Sequence, residues 1–528
     1  MDHIEPRIAR LLSGIFIAVT MLVSGWFGYS NRGMKPSPPE IDYEYEYYPD
    51  IPEVTPTDVS KSDQSSVVSG SDNTTDTSSQ TDTPAEPPAP IEEKVTIKYV
   101  KINKATNIRA EDNNNSDKVA VLTTGTEVEY VSESKTRYQV KYAGNKTGWI
   151  IKTCGDIFEK EVTVKHIPSY ISGEPVKMNG TKEGSDIGAI LKNYSTTGAS
   201  VAVIKNGQVA YHYEYGYANK QNKVKVNENT KFRIASVTKV FTSMLAMTEV
   251  DDGKLDLDGD LSQIMGYKFY HPHYPKEKVT PRMLLTHTSG LIDRDDEFSQ
   301  KLTNITHNDY YYVSPPGVKF LYCNLNMGIA GAVVEKSSDQ TISQYAKDKF
   351  FDPMGIDASY DAKYLSDKSL VADCYSGDKV NCSNKYLTRS QERGKPGDTF
   401  HLGQGGLLIS SLDLAKVVTV LINDGQYNGR QYISQQSVNE MLSKQNIETN
   451  AGFDQCIGIR RSEKLIDNRN MFFHNGAAYG IYSLIAFDPA DKSGIVIITS
   501  GAFTSRNKNT VFAVCDDILN YSYEDILK

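Results

Sequence analysis

Cysteine is scarce in these 528 residues: Cys154, Cys323, Cys374, Cys382, Cys456 and Cys515 are all there are. None forms a C-x-x-C pair or clusters with histidine, so no zinc site is expected. Cys374 and Cys382, eight apart in a polar loop, either bridge in an oxidising compartment or stay as thiols. Basic stripes are also missing. The 57 Lys and Arg stand against 66 Asp and Glu, a formal charge of −9, which gives nucleic acid no electrostatic footing. That acidity is local: residues 40–93 hold fourteen acids and a single base, Lys61, so the charge belongs to one segment and not to a substrate site. The acids of DLDGD, residues 256–260, have EF-hand spacing but no Glu at the twelfth position, and calcium is not expected. No cofactor is expected either.

Long uncharged apolar runs are absent with one exception. LLSGIFIAVTMLVSGWFGY, residues 11–29, would be about 28 Å long as a helix, enough to span a bilayer core. Arg7 and Arg10 precede it and Arg32 and Lys35 follow, so the positive-inside bias is weak. With no A-x-A cleavage site and no cysteine near its end, the run reads as an uncleaved signal-anchor. The expectation is a single-pass membrane anchor over residues 1–33, with the later domains extracytoplasmic. Residues 34–92 form an acidic Pro/Ser/Thr linker, too poor in apolar groups to offset ordering entropy, and read as a disordered stalk.

Residues 93–158 alternate short β-rich runs with turn signals at Asn113–Asn115, Gly125, Ala143–Gly144 and Gly148. NIRA at 107–110, KVAVLTTGTEVEY at 118–130, YQVKY at 138–142 and GWI at 148–150 resemble a bacterial SH3-like domain. The resemblance implies a small all-β barrel that binds cell-wall peptide or positions a neighbouring enzyme. Trp149 reads as a core or rim aromatic. Residues 159–189 are a connector.

From residue 190 to 528 the chain reads as α/β. A hairpin over 199–218 turns at Asn206–Gly207, a strand pair occupies 481–501, and a helix over about 506–520 closes the chain. Strands at both ends with helices between predict an antiparallel sheet built from the two termini around a helical subdomain.

RIASVTKVFTSMLAM, residues 233–247, poses the functional question. S-x-x-K occurs at Ser132, Ser236, Ser376 and Ser505. The first and third fall in the barrel and a polar loop, and Ser505 reads as an N-cap. Ser236 heads a buried helix, and a spacing of three places Lys239 on its face. A helix N-terminus favours an alkoxide and an oxyanion, and burial would pull the lysine toward proton transfer.

Further segments follow in order: VTPRMLLTHTSGL at 279–291, YCN at 322–324, GQGGLLISSLDLAK at 403–416 and FFHNGAAYGIYSLIAFDP at 472–489. Together with FRIASVTK they resemble the serine β-lactamase and penicillin-binding-protein superfamily, in its class C-like branch. The resemblance implies Ser236 as acylated nucleophile, Lys239 as its proton partner and Tyr322 as the proton shuttle. Asn324 would hold Lys239 and the substrate amide. His474, Asn475 and Gly476 match the Lys/His-Thr/Ser-Gly element on an edge strand, where a cationic or polar side chain assists the tyrosine. The N–H groups of Ser236 and Ala477 would form the oxyanion hole. Tyr217-Ala218-Asn219 and His401-Leu402-Gly403 repeat two of the patterns but read as structural, and His287 and Ser289 as turn-formers. Asn475 departs from the usual hydroxyl, which bears on carboxylate recognition more than on acylation. The implied activity is a membrane-anchored serine hydrolase acting on peptidoglycan or other cell-wall peptide of D-Ala type, or on an ester. A class C-like β-lactamase and a non-catalytic wall-binding sensor are the alternatives.

Overall fold

The computed structural model describes residues 91–142, 146–166, 173–294, 301–305, 308–392, 394–398, 400–449, 451–507 and 510–528. The anchor expected at 1–33 and the linker up to residue 90 lie outside them. Among the described residues no helix is long and apolar enough to cross a membrane.

Seven strands make the first folded unit, ordered Lys118–Leu122, Thr106–Arg109, Lys146–Ile151, Arg137–Tyr142, Glu127–Glu133, Ile91–Ile102 and Gly155–His166. Val100, Ile102, Ile108, Leu122, Val128, Val140 and Ile150 form its core, drawn from inward positions of period-two strands. Asn113 closes the expected turn, its side-chain oxygen accepting from Asn115 N at 2.9 Å and Ser116 N at 2.7 Å. The turn expected at Ala143–Gly144 lies outside the described residues. Gly148 is not a turn residue but sits inside Lys146–Ile151, where a Cβ would fall 2.3 Å from Ile108 Cγ2. Trp149 is half-buried and faces Arg109 and Gln139 on the flanking strands. Gly155–His166 pairs with Ile91–Ile102 along its whole length and so runs past residue 158.

The hydrolase-like part is a nine-stranded sheet. The order is Val224–Lys225, Gln208–Asn219, Gly198–Lys205, Ser493–Ser500, Ile481–Asp488, Met471–Ala478, Arg460–Ser462 and Asp454–Gln455, with Val176–Lys177 parallel to Gln208–Asn219. The first long strand thus pairs with the last, Val203 opposite Ile495. Asn206 and Gly207 both take positive φ, 55° and 72°, as a two-residue type I′ hairpin turn requires. Helices Lys182–Asn193 and Ala513–Tyr521 cover one face, burying Ile187, Leu191, Val514 and Ile518 against Val201, Val203 and Ile497. The other face carries the helical subdomain, with Thr238–Asp251, Asn324–Ser338 and Ser411–Ile422 contributing Phe241, Met244, Leu245, Val333 and Val418.

The closing helix starts at Ala513, not near 506, because Arg506 bridges to Phe512 and turns the chain back first. Ser505 does not cap it. Val514 N bonds to Thr504 Oγ1 at 3.1 Å, while Ser505 gives its carbonyl to Ala513 N at 2.9 Å.

Candidate active site

Ser236 lies in a single 3-10 turn, Ala235–Val237, and the α-helix begins only at Thr238. Ala235 has φ 48°, in the left-handed region where a residue with a Cβ is strained. Neither segment uses a side-chain cap, so Ser236 is not an ordinary N-cap. Its hydroxyl faces the groups that the resemblance names.

Lys239 is one turn on and fully buried. Nζ donates to Ser236 Oγ at 2.7 Å, Asn324 Oδ1 at 2.7 Å and the Gln404 carbonyl at 2.8 Å. These three acceptors match the three hydrogens of an ammonium. Tyr322 donates its hydroxyl to Ser236 Oγ at 2.9 Å. Its ring faces Lys239 Nζ at 5.2 Å and the Arg460 guanidinium at 5.3 Å, two cations that favour negative charge on the phenol side.

Gln404 reaches Lys239 because Gly403 has no side chain. A Cβ there would stand 2.8 Å from Met327 O and 3.0 Å from Gly331 Cα, so the short helix Leu402–Gly405 can press against Asn324–Ser338. His401 precedes that helix and is half-buried.

His474, Asn475, Gly476 and Ala477 lie on Met471–Ala478. Arg460–Ser462 pairs with this strand only through Met471, Phe472 and Phe473. Beyond Phe473 the pairing continues on one side alone, to Ile481–Asp488, so the edge is open among the described strands. At Gly476 a Cβ would lie 2.9 Å from Ser236 N and 2.7 Å from Ile234 O. Only glycine lets the strand come this close to the serine turn, one residue before Ala477.

His474 is buried, with Nδ1 2.8 Å from the Asn475 carbonyl oxygen and its ring 6.5 Å from that of Tyr322. Burial, reinforced by Arg460 and Lys239, holds its pKa well below the usual imidazole range. The imidazole is therefore neutral, and the cation at this end of the site is Arg460. Burial lowers the pKa of that guanidinium, yet the group stays charged. It donates to Asn475 Oδ1 at 2.9 Å. In the sequence Arg460 is only one half of an arginine pair after an apolar run, and the charge at an inward strand position is the one signal that pointed to it.

His287 has φ 57°, as a turn-former should, and does more than shape a turn. Its ring lies 4.6 Å from that of Tyr322, and Nδ1 accepts from Cys323 N at 3.2 Å. Ser289 bonds to Asn326 and Leu291 N. The other patterns fall elsewhere: Asn219 donates to Asp373 at 2.8 Å and Lys225 stacks on Tyr217. In DLDGD, Asp258 pairs with Arg282 and Asp260 caps Leu261–Met265. Among the described residues no group of His, Cys, Asp and Glu is arranged to hold a metal.

Residues 185–514 match the Beta-lactamase family, well over half of the chain, and residues 104–154 match the Bacterial SH3 domain. Among curated proteins, Protein flp of Staphylococcus aureus is 29% identical over 167 residues, 30% of this chain and 33% of that protein. A beta-lactamase of Pseudomonas fluorescens is 30% identical over 200 residues, 36% of this chain and 53% of that protein. The match thus spans between a third and about half of these relatives' length. A solved structure, the beta-lactamase/D-alanine carboxypeptidase from Pseudomonas syringae, superposes with a TM-score of 0.50 at 18% identity, over 65% of this chain and 98% of that one, a likeness of fold. The chain belongs to the beta-lactamase family, with a bacterial SH3 domain ahead of the matching region.

Proposed function

We propose that this hydrolase cleaves a peptide ending in a carboxylate, of the D-alanyl cell-wall type, through an acyl-enzyme on Ser236. The observation that carries the reading is the convergence of Lys239 Nζ and Tyr322 OH on one serine oxygen, at 2.7 and 2.9 Å. With one proton removed from the Lys239–Tyr322 pair, that pair accepts the serine proton as Oγ attacks the scissile carbonyl. The C–N bond then breaks, and the leaving amine takes the proton back by way of Tyr322. Water hydrolyses the ester by the same route in reverse. The N–H groups of Ser236 and Ala477 would hold the oxyanion, each worth about 3 kcal/mol to the transition state. Substrate would add along the open edge of Met471–Ala478, with its carboxylate toward Arg460 and Asn475.

The Pseudomonas syringae neighbour carries both activities in its name, β-lactamase and D-alanine carboxypeptidase. The SH3 domain and the apolar run at 11–29 support a wall polymer as target and an extracytoplasmic, membrane-anchored enzyme, since a soluble antibiotic needs neither. Intact-mass measurement after penicillin or a fluorophosphonate tests the reading: the wild type gains an adduct and Ser236→Ala does not. A penicillin adduct lasting for hours fits the peptidase, and release within seconds marks a class C-like β-lactamase instead. No adduct with either probe would leave a binding protein without turnover.

A further inference from the structure

Asn324 must present its oxygen, not its amide nitrogen, to the ammonium of Lys239. The ammonium only donates, so the contact itself favours the oxygen, although the two ends of a primary amide have nearly the same shape. A second constraint, on the other end of the amide, comes from Asp293, an exposed residue just after THTSGL. Its Oδ2 accepts from Asn324 Nδ2 at 3.1 Å and from Asn324 N at 2.9 Å. Its Oδ1 accepts from Leu325 N at 2.9 Å and Cys323 Sγ at 3.0 Å. With Nδ2 tied to a carboxylate, Oδ1 is turned to Lys239 Nζ at 2.7 Å.

The same carboxylate replaces a missing cap. Cys323 holds the N-cap position of Asn324–Ser338 and makes no side-chain cap bond. Asp293 takes the first two N–H groups of that helix instead, a role that suits an anion at a helix N-terminus. It therefore grips the three residues that follow Tyr322, namely Cys323, Asn324 and Leu325, at four donors.

We propose that Asp293 is a positioning residue for acyl transfer, acting by fixing the Asn324 amide with its oxygen toward Lys239. The inference rests on the reading of Ser236 as the acylated nucleophile. Removing Asp293 takes away the acceptor of Asn324 Nδ2, so the amide is free to rotate away from the ammonium, and Lys239 loses an ordered acceptor and Ser236 its ordered partner.

The test is a double-mutant cycle on the rate constant for acylation of the full chain by a fluorophosphonate. Asp293→Ala is expected to slow acylation by about 10–100-fold, the usual cost of losing a group that orients a reacting side chain. Asp293→Asn still offers an oxygen to the Asn324 amide and keeps the rate within about fivefold, which guards against misfolding of the alanine variant. In an Asn324→Ala background, removing Asp293 should cost less than about twofold, because the residue acts through an amide that is gone. A role confined to helix capping predicts losses that multiply, and that result would overturn the proposal, as would wild-type acylation by Asp293→Ala. Absence of acylation in the wild type would instead sink the reading of Ser236, so the two failures are distinct.

Discussion

The guanidinium of Arg460 donates to the side-chain oxygen of Asn475 across 2.9 Å, with both side chains buried. The amide oxygen is committed, and its NH2 group becomes the donor left for a ligand. Arg460 thus supplies the positive charge at this end of the site, where the motif offers a polar, neutral His474. Arg460→Met is expected to lower kcat/KM for carboxylate-terminated peptides by about 10–100-fold, the worth of one hydrogen bond to a charged group. Hydrolysis of a neutral p-nitrophenyl ester should fall less, by only the share that Arg460 contributes beside Tyr322, and equal losses on both substrates would remove the carboxylate from the account.

Gly476→Ala probes the closest approach in the site. The added methyl would lie 2.6 Å from Ser483 Oγ, 2.7 Å from Ile234 O and 2.9 Å from Ser236 N, and two of these three are backbone atoms. The strand must back away from the serine turn. Overpacking of this kind costs about 1–3 kcal/mol of stability, while a shift near 1 Å at the reacting group costs about a hundredfold in rate. Melting temperature and acylation rate measured side by side should show a modest loss in the first and a large one in the second.

Acidification should weaken the fold through its buried imidazoles. Burial, then Lys239 and Arg460, holds His287 well below the usual range, and the same groups act on His474. The unfolded chain therefore binds protons below about pH 6.5 that the folded chain refuses, so stability falls as pH drops through that value. The loss grows as pH falls further below that value. Urea unfolding of wild type and His287→Gln at pH 7 and pH 5 should show a shallower loss in the variant.

Cys374 and Cys382 are register partners across the hairpin of Cys374–Ser376 and Lys379–Cys382, with both thiols buried. Each thiol acts on the other, which raises the pKa of Cys374 and lowers that of Cys382. Facing Cα atoms in an antiparallel pair fall within the span that a disulfide bridges. Oxidised glutathione should close this pair by two exchange steps, releasing two equivalents of reduced glutathione. The closed loop would add about 2–3 kcal/mol by restricting the unfolded chain. Peptide mapping without reductant should find this link, and urea midpoints should rise with it; an oxidised sample with both thiols intact would contradict the pairing.

What the sequence discloses depends on how each contact is made. Ser236 and Lys239 are legible because a spacing of three sets their proximity before any tertiary structure exists. Tyr322, Asn324 and the His474–Ala477 segment are legible through the order of motifs. Arg460 and Asp293 are not, since one enters by the register of a short strand against Phe473 and the other by a loop reaching a distant helix end. The neutrality of His474 is also hidden, being decided first by burial and then by two cations that face it from other elements. In the SH3 domain, Gly148 carries the composition of a turn but is needed for strand packing, which composition alone does not separate.

Gly198–Lys205 closes the sheet against Ser493–Ser500, with residues 198 and 500 opposite one another. Ser236 therefore leaves the ribosome long before the strand that walls it and the arginine behind that strand. A nascent or truncated chain ending short of residue 476 holds the serine and its lysine but lacks the surface on which an ester would form. The site is complete only once the strand from Met471 has joined the sheet, a late step because the long loop before it must close first.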